Sequence, residues 1–547
     1  MDGSTSSTSD TTSPTWRDYY VASKRLRYFF VAPLIFAIVP LYFQTKAAAC
    51  AFVVLYMGYL WITEAIPMAV TSLIPLVAYP LLGIYDAKSL SGEYLNDTNF
   101  VFFGSLLTAI GVETTRLHER IALKVLRITG TNPRWLMLGL QSSTALLSMW
   151  MSNTATAAMM LPIVISIIQE LDYCHRRHQS PNDIIVKQNA ANLDFSLSTK
   201  RDREIYKGLL LSICFSASIG GTGTIIGTGP NIILAGYMEQ LTNGNSPITF
   251  AKWMFYAVPQ LVVMILFLWF WLQFLYVGWS TDPNAKETEK ILQKVIKSKY
   301  DALGPIKYSE KTIAVLFSFM VVLWTFRDPK VVPGWGDLFP NGYVSDATVS
   351  ICIGILLFVL PRVPLHEYVR TSTFDKAPSD PPAIITWKDM HERFSWGTIL
   401  LLGGGFAMAK GVESSGLSAV ISSQLTRIEN VPEWAFVLFS CILVTALTEF
   451  SSNIATASIF IPLVANIAQK HNVNVLTYVL PATLSCSFAF MLPAGTPPNA
   501  IVFSAGLLKV TDMVKAGVVL NLFGFLLIFT ATHTYAPYIF DLHLQSH

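Results

Sequence analysis

The sequence predicts an all-α polytopic membrane protein with about eleven transmembrane helices and two re-entrant helical hairpins. Of its 547 residues, 52% are hydrophobic and 13% are charged, whereas soluble domains carry about 25% charged residues. Apolar runs of membrane-spanning length recur between residues 28 and 535. Two polar motifs are nearly repeated, at residues 148–157 and 448–457, which indicates an inverted repeat. These properties argue against a soluble enzyme and against a nucleic-acid-binding protein.

The chain begins with a segment, residues 1–27, whose start is rich in Ser, Thr and Asp and predicts disorder. The apolar runs that we interpret as crossings lie at about 28–44, 48–66, 68–84, 99–115, 207–238, 250–278, 311–326, 345–361, 396–416, 474–506 and 514–535. The six cysteines have no metal-ligand spacing, and we interpret them as small core residues.

Two further pairs of apolar runs, 134–170 and 432–468, surround the repeated motifs. Lys and Arg are frequent on both flanks of the first pair and scarce around the second. Because cytoplasmic loops are enriched in Lys and Arg, we expect the first pair to be a hairpin entering from the cytoplasm and the second to enter from outside. The lysine-rich segment 279–311 is then cytoplasmic. We interpret its lysines as a solvated amphipathic helix on the inner membrane surface rather than a specific lipid site.

The repeat continues into two interrupted helices. Residues 220–231 read GGTGTIIGTGPN and residues 492–499 read LPAGTPPN, so the Gly-Thr-x-Pro-Asn cores align. Gly and Pro break helices, and broken backbone at membrane depth is tolerated only inside protein or along a cavity. Inverted repeats with helices broken near the membrane midplane are typical of secondary transporters.

The motifs suit two kinds of ligand. Free carbonyls at a helix break suit a hard cation such as Na⁺, and free amides at a helix start suit a carboxylate. The predicted sodium sites use Ser148, Asn153 and backbone near Thr228 and Gly229 in the first half, and Thr448, Asn453, Gly495 and Pro497 in the second. The predicted anion contacts are Ser152, Asn153, Thr154, Thr228, Ser452, Asn453 and Thr496.

Other interpretations of these residues are weaker. The Ser-Asn-Thr clusters could mediate helix packing, but each is coupled to its own helix break. The glycine-rich run 220–229 lacks the strand and spacing of a dinucleotide-binding loop. Ionisable side chains within or near the apolar runs are further candidates for function, and Glu449 directly follows the second motif hydroxyl. They are Glu64, Glu113, Lys410, Glu413 and Glu449. An anion channel would need a continuous polar pore, and a membrane hydrolase would need a His partner for its Ser.

With these motifs and the run 486–502, CSFAFMLPAGTPPNAIV, the chain resembles the divalent anion–sodium symporter family, which includes the animal sodium-coupled di- and tricarboxylate cotransporters. The similarity extends from about residue 24 to the end. It implies a homodimer that works as an elevator and carries sodium with succinate, citrate or a related carboxylate. We expect the protein to lie in the plasma membrane. No organic cofactor is implied. The departure at Ile454, where the first motif has Thr154, leaves substrate size preference open.

The resemblance also implies a division of the chain into units. We expect a disordered cytoplasmic segment at 1–27, scaffold helices at 28–98 and 250–361, and a final helix with an extracellular C-terminus at 514–547. The transport repeats are expected at 99–240 and 396–510. Some animal relatives exchange carboxylates without sodium, so sodium-independent exchange and sodium–sulfate symport remain alternatives.

Overall fold

The computed structural model describes residues 24–130, 132–179, 199–278, 285–328, 333–340, 342–371, 381–420 and 432–542. These parts of the chain are helices joined by turns, with a single β-bridge between Pro361 and Ala383. The all-helical fold predicted from the sequence is therefore confirmed. Most of the N-terminal segment predicted to be disordered lies outside the described residues, and the first helix begins at Lys24.

The first helices form one packed group. They are α1 (Lys24–Phe36), α2 (Ile38–Phe43), α3 (Lys46–Thr63), α4 (Met68–Thr71), α5 (Ile74–Leu81) and α6 (Ala87–Tyr94). The Tyr94 hydroxyl donates a hydrogen bond to the Ser72 carbonyl, which fastens α6 to the α4–α5 turn. The side chains of Thr45 and Asp86 cap the N-termini of α3 and α6. Each accepts a hydrogen bond from a backbone N–H group that has no partner within the helix.

The first repeat contains a bent helix pair, a hairpin and a broken helix. Its elements are α7 (Asp97–Thr115), α8 (Leu117–Thr129), α9 (Pro133–Ser148), α10 (Asn153–Gln179), α11 (Lys200–Gly221) and α12 (Gly229–Leu241). The junction of α7 and α8 is Arg116, whose positive φ of 61° ends one helix and starts the next. The predicted hairpin at 134–170 corresponds to α9 and α10.

The middle of the chain consists of long helices and a helical connection. Its elements are α13 (Phe250–Leu272), which continues as a π-helical turn (Gln273–Val277), α14 (Ala285–Ala302), α15 (Tyr308–Arg327), a 3₁₀ turn (Trp335–Leu338), α16 (Asp346–Val359), α17 (Leu365–Thr371) and α18 (Trp387–Arg393). Helix α7 packs closely along α16. The short distance is evident at Gly104, where a Cβ would lie 2.5 Å from the Ser350 carbonyl carbon.

In the described part of the chain, the second repeat consists of a long helix, a hairpin and a broken helix, as the first repeat does apart from α8. Its elements are α19 (Trp396–Ser414), α20 (Glu433–Thr448), α21 (Asn453–Lys470), α22 (Val475–Ser485) and α23 (Pro497–Phe503), and they are followed by α24 (Val510–Thr534) and α25 (Ala536–Phe540). The close packing of α7 is repeated in α19, since a Cβ at Gly404 would lie 2.6 Å from Ser72 Cβ. Gly104 and Gly404, which are 300 residues apart, therefore both serve close helix packing.

Six helices in the described part of the chain are long and apolar enough to cross a membrane. A seventh is added if the segments that meet at 68° around residue 116 form one span. Several of the other expected crossings correspond to shorter apolar helices, and α16 and α22 are two of these. The figure of eleven crossings and the re-entrant course of the hairpins stay predictions.

Candidate functional site

The tip of the first hairpin is the four-residue turn between α9 and α10. Ser148 ends α9, Asn153 starts α10, and the Ser152 hydroxyl accepts a hydrogen bond from Ala155 N at 3.2 Å. The Ser148 hydroxyl oxygen lies 2.6 Å from Asn153 Oδ1 and 2.7 Å from the Ala217 carbonyl oxygen in α11. Both neighbours are acceptors and a hydroxyl has one hydrogen, so it can donate to only one of them at a time. The Ser148 hydroxyl, the Asn153 amide oxygen and the Ala217 carbonyl oxygen therefore form a buried cluster of three oxygens.

Two adjacent glycines allow this approach between hairpin and helix. A Cβ at Gly221 would lie 2.5 Å from Asn153 Oδ1, and a Cβ at Gly220 would lie 2.5 Å from the Ala145 carbonyl oxygen. Only glycine leaves room for contacts this close. The Gly-Gly pair at the end of α11 thus brings the broken helix against the tip.

The break between α11 and α12 is held by two side chains. Thr224 donates its hydroxyl hydrogen to the Met149 carbonyl of the hairpin tip. Asn231 donates to the Thr224 carbonyl at 2.8 Å and to the Gly221 carbonyl at 3.3 Å. Asn231 is completely buried, and its Oδ1 has no hydrogen-bond partner in the described structure.

The second tip repeats the arrangement of oxygens. Thr448 ends α20 and Asn453 starts α21. The Thr448 hydroxyl oxygen lies 2.8 Å from Asn453 Oδ1 and 2.9 Å from the Cys486 carbonyl oxygen. Cys486 directly follows α22, just as Ala217 lies near the end of α11. Each half therefore places a hydroxyl, an amide oxygen and a backbone carbonyl together.

The second break is held by an amide and a carboxylate. Asn499 donates to the carbonyls of Ala489 and Leu492, ten and seven residues before it, both at 2.9 Å. Asn231 has the same relation to Gly221 and Thr224, at the same two separations. These matched contacts show that the two breaks share one backbone plan.

Glu449 adds a charged group that the first half lacks. Its carboxylate accepts hydrogen bonds from Met491 N at 2.8 Å and Leu492 N at 2.9 Å. The residue is 1% exposed, and a Cβ at Gly495 would lie 3.0 Å from its Oε2. Hydrogen bonds to an ionised acceptor are stronger than neutral ones, so this carboxylate fastens the tip to the break.

A cavity of about 540 Å³ lies between the two tips and the two breaks. Its walls include every residue predicted to contact the anion: Ser152, Asn153, Thr154, Thr228, Ser452, Asn453 and Thr496. The other walls come from α7, α19 and the α3–α4 connection. Among the described residues that line the cavity, Glu64 is the only ionisable one.

The predicted sodium-site residues are divided between two places. Ser148 with Asn153, and Thr448 with Asn453, form the buried oxygen clusters. Gly229, Gly495 and Pro497 instead line the cavity. The carbonyls of Ala217 and Cys486, which contact the motif hydroxyls, were missed by the sequence reasoning. The serines on either side of each, Ser216-Ala217-Ser218 and Ser485-Cys486-Ser487, were the available sequence signal.

The two halves meet at Ile454. Its side chain packs against Gly229 at the start of α12, where a Cβ would overlap Ile454 Cγ1. The second hairpin thus contacts the first break directly. The residue that departs from the repeat has a packing role in addition to lining the cavity.

Hard cations prefer oxygen ligands, and the clusters at Ser148 and Thr448 supply them without a competing cationic side chain. Thr496 lines the cavity, and its buried Oγ1 has no partner in the described structure. Buried polar atoms without partners are costly, so such atoms beside a cavity indicate a ligand. The arrangement can bind small cations at the tips and an anion between them.

The chain is similar to known proteins over nearly its full length. The family profile described as "Sodium:sulfate symporter transmembrane region" matches residues 21–542. The Na(+)/citrate cotransporter of Rattus norvegicus is 40% identical over 96% of this chain and 97% of that protein. The Na(+)/dicarboxylate cotransporter 3 of Homo sapiens is 40% identical over 93% of this chain and 90% of its own length.

Solved structures resemble the fold at low identity. The YdaH transporter of Alcanivorax borkumensis matches with a TM-score of 0.50 and 12% identity, over 82% of this chain and 88% of that one. MtrF of Neisseria gonorrhoeae matches with a TM-score of 0.50 and 10% identity, over 86% of this chain and 85% of that one. At these identities the likeness concerns the fold alone.

Proposed function

The chain belongs to the family defined by the sodium:sulfate symporter transmembrane region, and from this premise we propose sodium-coupled symport of di- and tricarboxylates such as succinate and citrate. The family and the similar proteins are transporters, so the chain is a transporter and not an enzyme. Its relatives are named for citrate and dicarboxylate cotransport with Na⁺. Sodium is therefore a co-transported substrate.

The observation that carries this proposal is the pair of oxygen clusters on either side of one cavity. No Lys or Arg is among the described residues that line the cavity. A dianion there needs another source of positive charge, because burying an uncompensated charge is very costly. Cations at Ser148–Asn153 and at Thr448–Asn453 would supply it. Anion and cation binding then depend on each other, which is the thermodynamic requirement for coupling.

An elevator motion is part of the proposal. The moving unit would contain both hairpins and both broken helices. The remaining frame would contain α1–α7, α15, α16 and α19. This grouping differs from the one expected from sequence, because it adds α7 and α19 to the frame and leaves out α13 and α14. The support is the glycine packing of α7 on α16 and of α19 on the α4–α5 region. A helix held this closely is poorly suited to slide with the hairpins.

Orientation and assembly are also proposed. We propose a cytoplasmic N-terminus and an extracellular C-terminus in the plasma membrane, because the lysine-rich α14 and the loops beside the first hairpin would then face the cytoplasm. We propose that frame helices of two copies form a homodimer. Accessibility of single introduced cysteines tests the first proposal, and cross-linking of the purified protein in lipid tests the second.

Uptake into proteoliposomes tests the function. Labelled succinate and citrate are supplied with an inward Na⁺ gradient, and choline replaces Na⁺ in the matched sample. We expect accumulation with Na⁺ and almost none with choline. Equal uptake in choline would instead favour sodium-independent exchange. Complete competition by excess sulfate would favour sulfate transport, and unitary currents in a planar bilayer would favour a channel.

A further inference from the structure

Helices α8 and α14 lie together at one end of the molecule. Helix α8 leaves α7 at an angle of 68°, and α14 connects the long apolar helices α13 and α15. Because α7, α13 and α15 belong to the apolar part of the protein, these connections hold α8 and α14 at the membrane surface. Both are amphipathic, with Leu126 and Leu292 fully buried.

Their mutual position is fixed by a buried arginine. Arg120 on α8 forms an ion pair with Glu310 of α15 at 2.6 Å and donates to the Gly304 carbonyl at 3.0 Å. The guanidinium carbons of Arg120 and Arg127 lie 5.6 Å and 5.8 Å from the centre of the Tyr300 ring of α14. The two helices therefore form one connected surface.

The outer face of this surface is basic. Lys290, Lys294 and Lys297 are exposed, and their spacing places them on one side of α14. None of the three makes an ion pair with the described part of the chain. Lys124 and Arg127 are exposed on α8, so the five side chains together form what we call the basic platform.

An apolar residue lies beside these charges. Ile128 on α8 is 75% exposed, next to Arg127. A large aliphatic side chain among basic ones is typical of helices that lie in the membrane interface and unusual for a surface facing only water.

In place of the interpretation from sequence, in which the lysines of α14 are only solvated, we propose that the basic platform binds the anionic phospholipid headgroups of the adjacent leaflet. Clustered Lys and Arg on an interfacial amphipathic helix attract anionic lipids, by about fivefold in association constant for each basic residue. The lipid surface is the occupant because α8 and α14 are held beside the bilayer by the helices that flank them. The charge of the platform and its position beside the bilayer thus both favour anionic lipid as the partner.

Helix α14 also contacts the first hairpin. Lys299, on the side of α14 that faces the protein, donates to Ser166 Oγ of α10 at 2.9 Å. Lipid that holds α14 in place would fix the surface along which the hairpin moves. Turnover should therefore rise with the anionic lipid content of the membrane, an expectation that rests on the proposed transport function. Lipid binding itself does not rest on it.

The full-length protein is tested in vesicles of phosphatidylcholine with and without phosphatidylserine. Electron paramagnetic resonance of spin-labelled lipids measures which headgroup associates with the protein. The test variant carries Lys290→Gln, Lys294→Gln and Lys297→Gln. The matched control carries Lys46→Gln, Lys88→Gln and Lys388→Gln, three exposed lysines outside the platform.

We expect the wild type and the control to associate with phosphatidylserine at least threefold more strongly than with phosphatidylcholine. The test variant should lose most of this preference, and so should the wild type at high salt. An unchanged preference in the test variant overturns the proposal. Equal association of both lipids with the wild type also overturns it and favours an acidic protein as the partner.

Succinate uptake in the same vesicles separates this proposal from the proposed function. We expect uptake by the wild type to increase at least twofold with phosphatidylserine, and uptake by the test variant to stay at the level of the neutral vesicles. If no vesicle supports uptake while the lipid preference depends on the platform, the transport function fails and lipid binding stands.

Discussion

The two hairpin–break units have the same backbone plan, yet each hairpin is fastened to its break by hydrogen bonds of opposite direction. In the first half, the Thr224 side chain of the break donates to the Met149 carbonyl of the tip. In the second half, the Glu449 side chain of the tip accepts from the backbone amides of Met491 and Leu492 in the break. The repeat therefore preserves geometry, while only the second hairpin–break unit has a carboxyl group at this junction.

Because of this difference, we do not expect the two proposed cation sites to be equivalent. A carboxylate next to Gly495 lowers the electrostatic energy of a nearby cation, and its effect is large because the site is buried. The cluster at Ser148 has only neutral oxygens. We expect the second site to bind Na⁺ more tightly than the first, and mutations at matched positions can test this.

The largest effect is expected for Glu449→Gln. The amide can accept from only one of the two backbone N–H groups and carries no charge, so about 2–3 kcal/mol is lost. That corresponds to a roughly 30- to 150-fold increase in the Na⁺ concentration for half-maximal uptake. The measurement is sodium-dependent succinate uptake, normalised to protein at the cell surface.

Two controls accompany this variant. Met149→Leu changes the matched position of the first half but retains its carbonyl, and should alter sodium dependence less than about threefold, since the carbonyl makes the contact. Glu433→Gln removes an exposed carboxylate at the start of the same hairpin and should have no effect. Similar losses in Glu449→Gln and Met149→Leu would show that the asymmetry of charge does not matter.

The next largest effect is expected for Gly221→Ala. Its Cβ would lie 2.5 Å from Asn153 Oδ1, so the first cluster must open at a cost of about 1–2 kcal/mol. Sodium-dependent uptake should fall roughly 5- to 30-fold. The matched residue of the second half is already alanine, and Ala489→Gly should reduce uptake by less than about threefold. If Gly221→Ala is silent, the contact with Asn153 is not needed.

A smaller effect is expected when each motif hydroxyl is removed. Ser148→Ala and Thr448→Val each delete one oxygen ligand, worth about 1 kcal/mol or roughly fivefold in Na⁺ affinity. Voltage-clamp currents at varied Na⁺ measure both affinity and cooperativity. We expect each variant to lower the Hill coefficient, because one site is weakened. An unchanged coefficient in both would argue that the clusters do not bind transported sodium.

The smallest effect is expected for Ile454→Thr, which restores the residue type of the first motif. The change shortens a side chain that packs on Gly229 and adds a hydroxyl to the cavity wall. We expect the ratio of citrate to succinate affinity to change by about two- to threefold, which corresponds to less than about 1 kcal/mol, because Ile454 is one of many residues that line the cavity. Competition between the two labelled substrates measures the ratio, and Thr154→Ser is the matched control.

Much of the site followed from the sequence. The repeated Ser-Asn tips and the Gly-Thr-x-Pro-Asn breaks predicted which segments line one cavity, and the structure brings these segments together. The carbonyls of Ala217 and Cys486 were not predicted, because any residue type can supply a carbonyl and only the serines on either side of each marked these positions. Glu449 was noted as a charge near a motif, but its partners are backbone amides about 42 residues away, which carry no sequence signature.

The sequence by itself determined the chemical class of the protein. Hydropathy sets which segments avoid water, and Gly, Pro and small polar residues set where helices break and which ligands they suit. The tertiary structure decided which oxygens meet, since Ser148 and the Ala217 carbonyl are 69 residues apart and approach only because glycines let two helices touch. It also decided what the Glu449 carboxylate contacts. The backbone amides of Met491 and Leu492 reach it only because the second hairpin packs against its break.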